Sequence, residues 1–442
     1  MSTTSALNIW HPFTQTHLDP DPLRVVRARG TYLYPEDGRK IVDAISSWWV
    51  NLHGHCHPRI AEAIAAQAGK LDHVLLAGFS HPSVEQLTQK LRNIVPSALT
   101  HVFYSDDGST AVEVALKLAV QYWHNRGCAE KREIVALEHA YHGDTVGAMS
   151  VSADSGFTSP FSRFRFPVHR VHAAYCLRCP VGKERASCQI DCVQSLRTLM
   201  ETRSSAIAAV IVEPLLQGAG GMIVHPAEFL RQVRALCSEH QVLLIADEVL
   251  TGFGRCGKMF ACDVAGVVPD LMCVSKGITG GFLTLGATLC TDSLHQEFTG
   301  PSRSFFHGHS YTGNPLACAA AVANLEIFET EDVFGRIDAI AAQHAKRLAR
   351  VNLHPRVAET RQLGSVAAIE LNVEDPGYFS TLKSRLYSFF LGRGVLLRPL
   401  GHVIYVLPPY CVSQSDLDYV YTVIEEALEK VSSETTFSRP GT

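Results

Sequence analysis

The sequence predicts an α/β fold, with a large domain on a mostly parallel central sheet and a smaller domain beside it. Three observations carry this. Mainly apolar runs at Glu133–Leu137, Ile207–Val212, Val242–Ala246 and Leu271–Val274 are each closed by polar or turn residues, the pattern of strands buried on both faces. Helical segments such as Ala227–Cys237 fall between them, and strands that alternate with helices imply parallel pairing. At 442 residues the chain also exceeds one typical core, so more than one domain is expected.

Taken in order, residues 1–45 mix turn signals (Asp19-Pro20-Asp21-Pro22, Glu36-Asp37-Gly38) with short β-branched runs at Val25–Val26 and Ile41–Val42. This predicts a small β-containing lobe. A loop with paired Trp48 and Trp49 follows; adjacent tryptophans usually signal core or interface packing. Between His57 and Val95 the spacing predicts helix, with Ile60 and Ile64 on one face and Val84, Leu87 and Leu91 on another. Val102–Ser105 reads as a strand, Asp106–Thr110 as a turn and Ala111–Trp123 as a helix. A strand, a Gly-Ser turn and a helix can receive a phosphate on free N–H groups, or form an ordinary capping turn. Just past the strand at 133–137 stands Tyr141, an aromatic able to stack on a flat ring.

The second half predicts a strand at Gly286–Cys290 and a small-residue helix from Leu316. Shorter elements follow: helices at Ile337–Val351, Tyr378–Gly392 and Gln414–Val431, and strands at Ser365–Leu371, Val395–Leu400 and Val403–Leu407. Arg398 falls within one of these apolar strands, where an unpaired charge is costly. It therefore meets an anion, either a protein carboxylate or a substrate carboxylate. The closing SSETTFSRPGT reads as disordered.

Hydrophobic residues make up 46% of the chain and charged residues 19%, an ordinary globular balance. A net charge of -4 argues against nucleic-acid and anionic-membrane partners. The first residues show no secretory signal, and no apolar run reaches the roughly 18 residues of a membrane span. Thirteen cysteines then predict free thiols in a reducing cytoplasm. Cys176, Cys179, Cys188 and Cys192 are grouped and could hold structural zinc. Their short intervening loop and uneven spacing favour free or oxidised thiols, so no metal is expected.

Chemistry concentrates between Val242 and Gly281. One apolar run delivers Asp247 and Glu248, a glycine-rich loop carries Arg255, and the next run delivers Ser275 and Lys276. Ligand groups in parallel sheets sit just beyond the carboxyl ends of strands. A desolvated lysine there becomes a nucleophile toward a carbonyl. Pyridoxal phosphate needs such a lysine and an acid on its ring nitrogen. The plain alternative is that Asp247 caps the next segment and Lys276 is a solvated surface residue.

With these residues in place, the chain resembles the fold-type I, class III aminotransferases that use pyridoxal 5′-phosphate, from Ile9 to about Cys411. The likeness is carried by Trp10-His11-Pro12-Phe13-Thr14-Gln15, Ser46-Ser47-Trp48-Trp49, Asp107-Gly108-Ser109, Tyr141-His142-Gly143-Asp144-Thr145 and Ile245-Ala246-Asp247-Glu248. Lys276-Gly277, Gly313-Asn314-Pro315-Leu316-Ala317-Cys318 and Leu397-Arg398-Pro399 complete it. The resemblance implies a small domain built from both ends of the chain, residues 1–45 and 329–432, around a large cofactor domain at 46–328, with a tail at 433–442. It implies that Lys276 holds the cofactor as a Schiff base and moves protons, that Asp247 pairs with the ring nitrogen, and that Tyr141 stacks on the ring. Gly108 and Ser109 would bind the phosphate, with Glu213 supporting the cofactor network. Ser310 would come from the second subunit of a homodimer whose sites are shared at the interface.

Within that class the chain looks most like the branch serving biotin synthesis. That implies 8-amino-7-oxononanoate as amino acceptor and S-adenosylmethionine as donor, with Trp48, Phe13, Asp144, Arg255, Gly308 and Arg398 lining the substrate site. Two departures matter. Many members have tyrosine where Phe13 stands, which leaves lysine open as an alternative donor. Ala219 stands where ornithine and 4-aminobutyrate members place a glutamate, which argues against a broader ω-amino-acid transaminase. A catalytically silent binding protein is the rival of a different class, and retention of Lys276, Asp247, Gly108 and Ser109 argues against it.

Overall fold

A computed structural model describes residues 8–15, 19, 21–373 and 381–430. The expected tail at 433–442 lies outside them. Three short strands, β1 (Val25–Arg29), β2 (Tyr32–Pro35) and β3 (Ile41–Asp43), lie within the first 45 residues. The middle of the chain supplies β4 (Leu99–Ser105), β5 (Glu133–Leu137), β6 (His169–Val171) and β7 (Ile207–Val212). A small hairpin follows, β8 (Leu216–Gln217) with β9 (Ile223–Val224). Next come β10 (Leu243–Asp247), β11 (Leu271–Val274) and β12 (Gly286–Thr291). The last strands are β13 (Val357–Leu363), β14 (Val366–Leu371), β15 (Val395–Leu396) and β16 (Val403–Val406).

Seven strands make the central sheet in the order β4-β12-β11-β10-β7-β5-β6. β12 runs antiparallel to both neighbours, and the remaining pairs are parallel. The carboxyl ends of the six strands other than β12 therefore share one edge. Helices cover both faces, as a sheet of fully apolar strands requires. On one face Ile245, Leu271 and Ile211 pack with Val114, Leu118 and Trp123 of the helix Gly108–Asn125. On the other Val210, Val212 and Leu244 meet Leu196, Phe229 and Val233. β15 pairs with β3 through Val395 and Val42, extending β1-β2-β3 into a four-stranded sheet.

Helix starts follow local chemistry. Asp107 accepts the N–H of Thr110 at 2.8 Å, while the Thr110 hydroxyl accepts the Asp107 N–H at 3.0 Å, a reciprocal cap worth about 1 kcal/mol. Asn314 and the following proline set the start of Pro315–Thr330. The helix expected from Ile337 begins at Val333, because Asp332 accepts the Gly335 N–H at 3.0 Å.

Three expectations change. The apolar run at Val395–Leu400 forms a strand only as far as Leu396; Pro399 has no N–H for a ladder, and Arg398 lies in the irregular segment beyond. The Trp48–Trp49 loop contains a short helical turn, Ser46–Trp49, with Ser47 and Trp49 in left-handed backbone. Packing describes only one of the pair: Trp49 is 5% exposed and Trp48 39%.

All thirteen cysteines are free. Cys176, Cys179, Cys188 and Cys192 line one cavity of about 20 Å³, and no group of three or more His, Cys, Asp or Glu among the described residues is placed to hold a metal. Tyr175 and Arg178, in the same segment, dock on buried Glu370 of β14, which also meets Arg361 and His402. No helix among the described residues is long and apolar enough to cross a membrane.

Candidate active site

The shared carboxyl edge brings Gly108 and Ser109 after β4, Tyr141 and His142 after β5, Glu213 after β7, Asp247 at the end of β10 and Lys276 after β11. Asp247 is 5% exposed. Its Oδ2 accepts a hydrogen bond from His142 Nδ1 at 2.6 Å, and its Oδ1 accepts the Val249 N–H at 3.1 Å. The carboxylate is thus held rigidly by a ring on one side and backbone on the other. Reading the sequence missed His142. Its position one residue after Tyr141 was visible, but its pairing with an aspartate 105 residues away was not.

Glu213 is buried and accepts the N–H groups of Tyr141 at 2.9 Å and Gly218 at 3.0 Å. Burial pushes its carboxyl up to about 7, helped by nearby Asp247 and opposed by His142 and those N–H groups. Glu213 therefore fixes the backbone that presents Tyr141. The Tyr141 hydroxyl donates to Asp144 Oδ2 at 3.0 Å, and burial first, then Asp144, raises its pKa. Glu248, beside Asp247, faces away from this edge. It accepts the N–H groups of Ala261 and Cys262 at 3.1 and 2.7 Å and so tethers the glycine-rich loop.

Lys276 opens a single 3-10 turn, Lys276–Thr279, after β11. Its Nζ lies 5.2 Å from the centre of the Trp49 ring. Burial lowers its pKa, against the opposing pull of Asp247, Glu213 and Asp107. A desolvated amine of this kind is a nucleophile.

The start of Gly108–Asn125 forms a cradle. A Cβ on Gly108 would stand 2.6 Å from a Val249 methyl. Gly143 has φ +130°, and a Cβ there would overlap Ser109 Oγ at 2.1 Å. Only glycine fits either place. The Asp144 N–H points at Ser109 Oγ from 3.3 Å, and the first N–H groups of an 18-residue helix face an anion favourably.

A second group gathers outside the sheet. Phe13 meets Trp48 edge-on at 5.5 Å. The Arg398 guanidinium lies 5.4 Å from the Trp48 ring and 5.7 Å from Tyr387. Its Nη2 donates to the Phe13 carbonyl at 2.7 Å, while its buried Nε has no partner among the described residues. Tyr387 lies in the helix Thr381–Gly392 and was not singled out from sequence.

Arg255 behaves differently from expectation. It is 1% exposed and donates to the carbonyls of Pro408 at 3.0 Å, Trp49 at 3.3 Å and Asn51 at 3.1 Å. It braces the cleft wall instead of facing a substrate. Ser310 and Gly308 lie in the loop before Pro315–Thr330, where His73 holds the Ser310 carbonyl at 2.5 Å. No contact ties Ser310 to Lys276 or Asp247 among the described residues.

The family model for class-III aminotransferases matches residues 14–428. The chain is 46% identical to the adenosylmethionine-8-amino-7-oxononanoate aminotransferase of Synechococcus elongatus, covering 96% of this chain and 99% of that one. Its counterpart in Geobacter sulfurreducens is 40% identical, with 96% of both chains covered. The crystal structure of the enzyme of that name from Methanocaldococcus jannaschii matches with a TM-score of 0.88 at 37% identity, covering 95% of this chain and 97% of that chain. An amine transaminase from an uncultivated Pseudomonas species, in a PLP-bound form, matches with a TM-score of 0.90 at 33% identity, covering 96% and 98%. A family match over residues 14–428, joined to an amine, a carboxylate and a helix start at one sheet edge, places the chain in the class III aminotransferases.

Proposed function

We propose that this aminotransferase uses pyridoxal 5′-phosphate to convert 8-amino-7-oxononanoate to 7,8-diaminononanoate, with S-adenosylmethionine as amino donor. The observation that carries the reading is the convergence of Lys276, Asp247 and the Gly108–Ser109 cradle on one edge. The names of the relatives supply the substrates.

The residues fit the cofactor end by end. Gly108 and Ser109 would take the phosphate, Tyr141 the ring face, Asp247 the ring nitrogen and Lys276 the aldehyde carbon. When bound, the cofactor supplies an electron sink for the charge left as a proton leaves the amino-bearing carbon. Asp247, fixed by His142, would hold a proton on the ring nitrogen. Lys276 Nζ would carry the proton between the substrate's amino-bearing carbon and the cofactor's aldehyde carbon. Arg398 would take the acceptor's carboxylate, beside Trp48 and Phe13, with Asp144 across the site next to Tyr141.

Phe13, lacking a hydroxyl, favours a second reading with lysine as donor. Half-reactions followed by loss of the cofactor's absorbance decide between them. Loss with S-adenosylmethionine alone is expected, and loss with lysine alone would replace the donor. An Arg398→Met variant should raise KM for the keto substrate by roughly 10-fold or more.

We also propose a homodimer in the cytoplasm. Phe306 and Tyr311 are 87% and 67% exposed in the loop carrying Ser310, and an apolar patch of this kind suits a subunit contact. Free thiols suit a reducing compartment. Sedimentation at twice the chain mass is expected; a monomer with full activity would count against shared sites.

A further inference from the structure

The lysine-bearing turn is under backbone strain. Lys276 has φ of 45°, a left-handed conformation that costs a side-chain-bearing residue on the order of 1–3 kcal/mol unless its surroundings impose it. The surroundings here include one unusual group, the amide of Asn324. Asn324 sits fully buried in the helix Pro315–Thr330, where asparagine is a poor helix former and an unbonded amide would be costly. Its Nδ2 donates to the carbonyls of Gly277 at 3.1 Å and Ile278 at 3.0 Å, the two residues that follow Lys276. Its Oδ1 lies 2.9 Å from His53 Nε2.

These bonds fix the orientation of both side chains. A flipped amide would set its oxygen against two carbonyls, so Nδ2 faces them and Oδ1 must accept from His53. His53 Nε2 therefore carries the hydrogen, and the ring is held edge-on by Phe328 at 5.0 Å and Tyr410 at 6.1 Å. Burial lowers the His53 pKa to about 3, so the ring remains a neutral donor at ordinary pH. The fit leaves no slack: a Cβ on Gly280 would come within 3.0 Å of Asn324 Oδ1 and 2.8 Å of Ile60.

We infer that Asn324, oriented by His53, is a positioning residue that holds the strained Lys276 turn and so aims the Lys276 amine. The inference rests on Lys276 being the lysine that carries the cofactor. Asn324 acts through that residue and touches neither substrate nor cofactor by this reading.

Asn324→Leu and His53→Leu should lower kcat between about 10- and 100-fold, the cost of a small misplacement, with KM for the donor within twofold of the parent. His53→Gln, which keeps a donor near the Nε2 position, should restore most of the rate. In the apo-protein, reductive methylation of Lys276 followed by mass spectrometry should show its pH midpoint raised by roughly one unit as the amine reaches solvent. The decisive comparison uses a Lys276→Ala background in which methylamine restores slow turnover. Adding Asn324→Leu there should change the rescued rate less than twofold. The same fold loss in both backgrounds, or an unmoved methylation midpoint, would overturn the positioning role. His53→Leu leaves Asn324 in place and gives the same readouts if Asn324→Leu does not fold. Borohydride fixation of the cofactor on a residue other than Lys276 would instead overturn the underlying reading and the inference with it.

Discussion

Replacing Lys276 by alanine should remove the covalent attachment of cofactor and lower kcat by at least 10²–10⁴-fold, the range supplied by a positioned general acid–base. The expectation follows from placement. Lys276 is the amine at the carboxyl edge of the sheet that burial drives toward its neutral form, and the strand ends around it bring carboxylates, aromatic rings and a cradle. After borohydride treatment, peptide mass spectrometry should find the cofactor on Lys276 in the parent and nowhere in the variant. A variant that keeps a tenth of the parent rate would remove Lys276 from the chemistry.

Asp247→Asn tests the opposite end of the ring. The change keeps shape, and the His142 hydrogen can still find an oxygen. What it removes is the negative charge. Taking one partner from a buried charged pair costs about 3–5 kcal/mol, and each 1.36 kcal/mol of barrier is roughly tenfold in rate. A fall in the single-turnover rate of about 10²–10⁴-fold is expected, with weaker cofactor retention on dialysis. A rate within threefold of the parent would show that the carboxylate does not act on the ring nitrogen.

Much of the fold was legible because its signals are local. β5, β7 and β11 coincide with the apolar runs read from sequence, since a strand buried on both faces needs no partner information to be recognised. Arg398 was placed in a strand because hydropathy continues past the point where the ladder stops. Hydropathy records burial, whereas Pro399 decides pairing. For the site, residue types were legible and their obligations were not. Arg255 was assigned to the substrate site by resemblance alone; its three carbonyl partners lie more than 150 residues away, beyond the reach of a local reading. Glu213 and Glu248 have similar sequence settings, each closing an apolar run, yet one supports Tyr141 and the other caps a helix. Only folding separates them.

The brace formed by Arg255 has an evolutionary consequence. Groups proposed for bond-making stand on strand ends, while Phe13, Trp48 and Arg398, proposed for choosing substrates, stand on irregular segments. Arg255 ties Trp49 and Asn51, next to Trp48, and Pro408, just beyond β16, to the glycine-rich loop through main-chain carbonyls, which every amino acid possesses. Side chains on the tied segments can be exchanged while the ties persist. The frame is thus fixed by main chain while the side chains on it are free to vary; an amine transaminase at 33% identity shares this fold with a TM-score of 0.90.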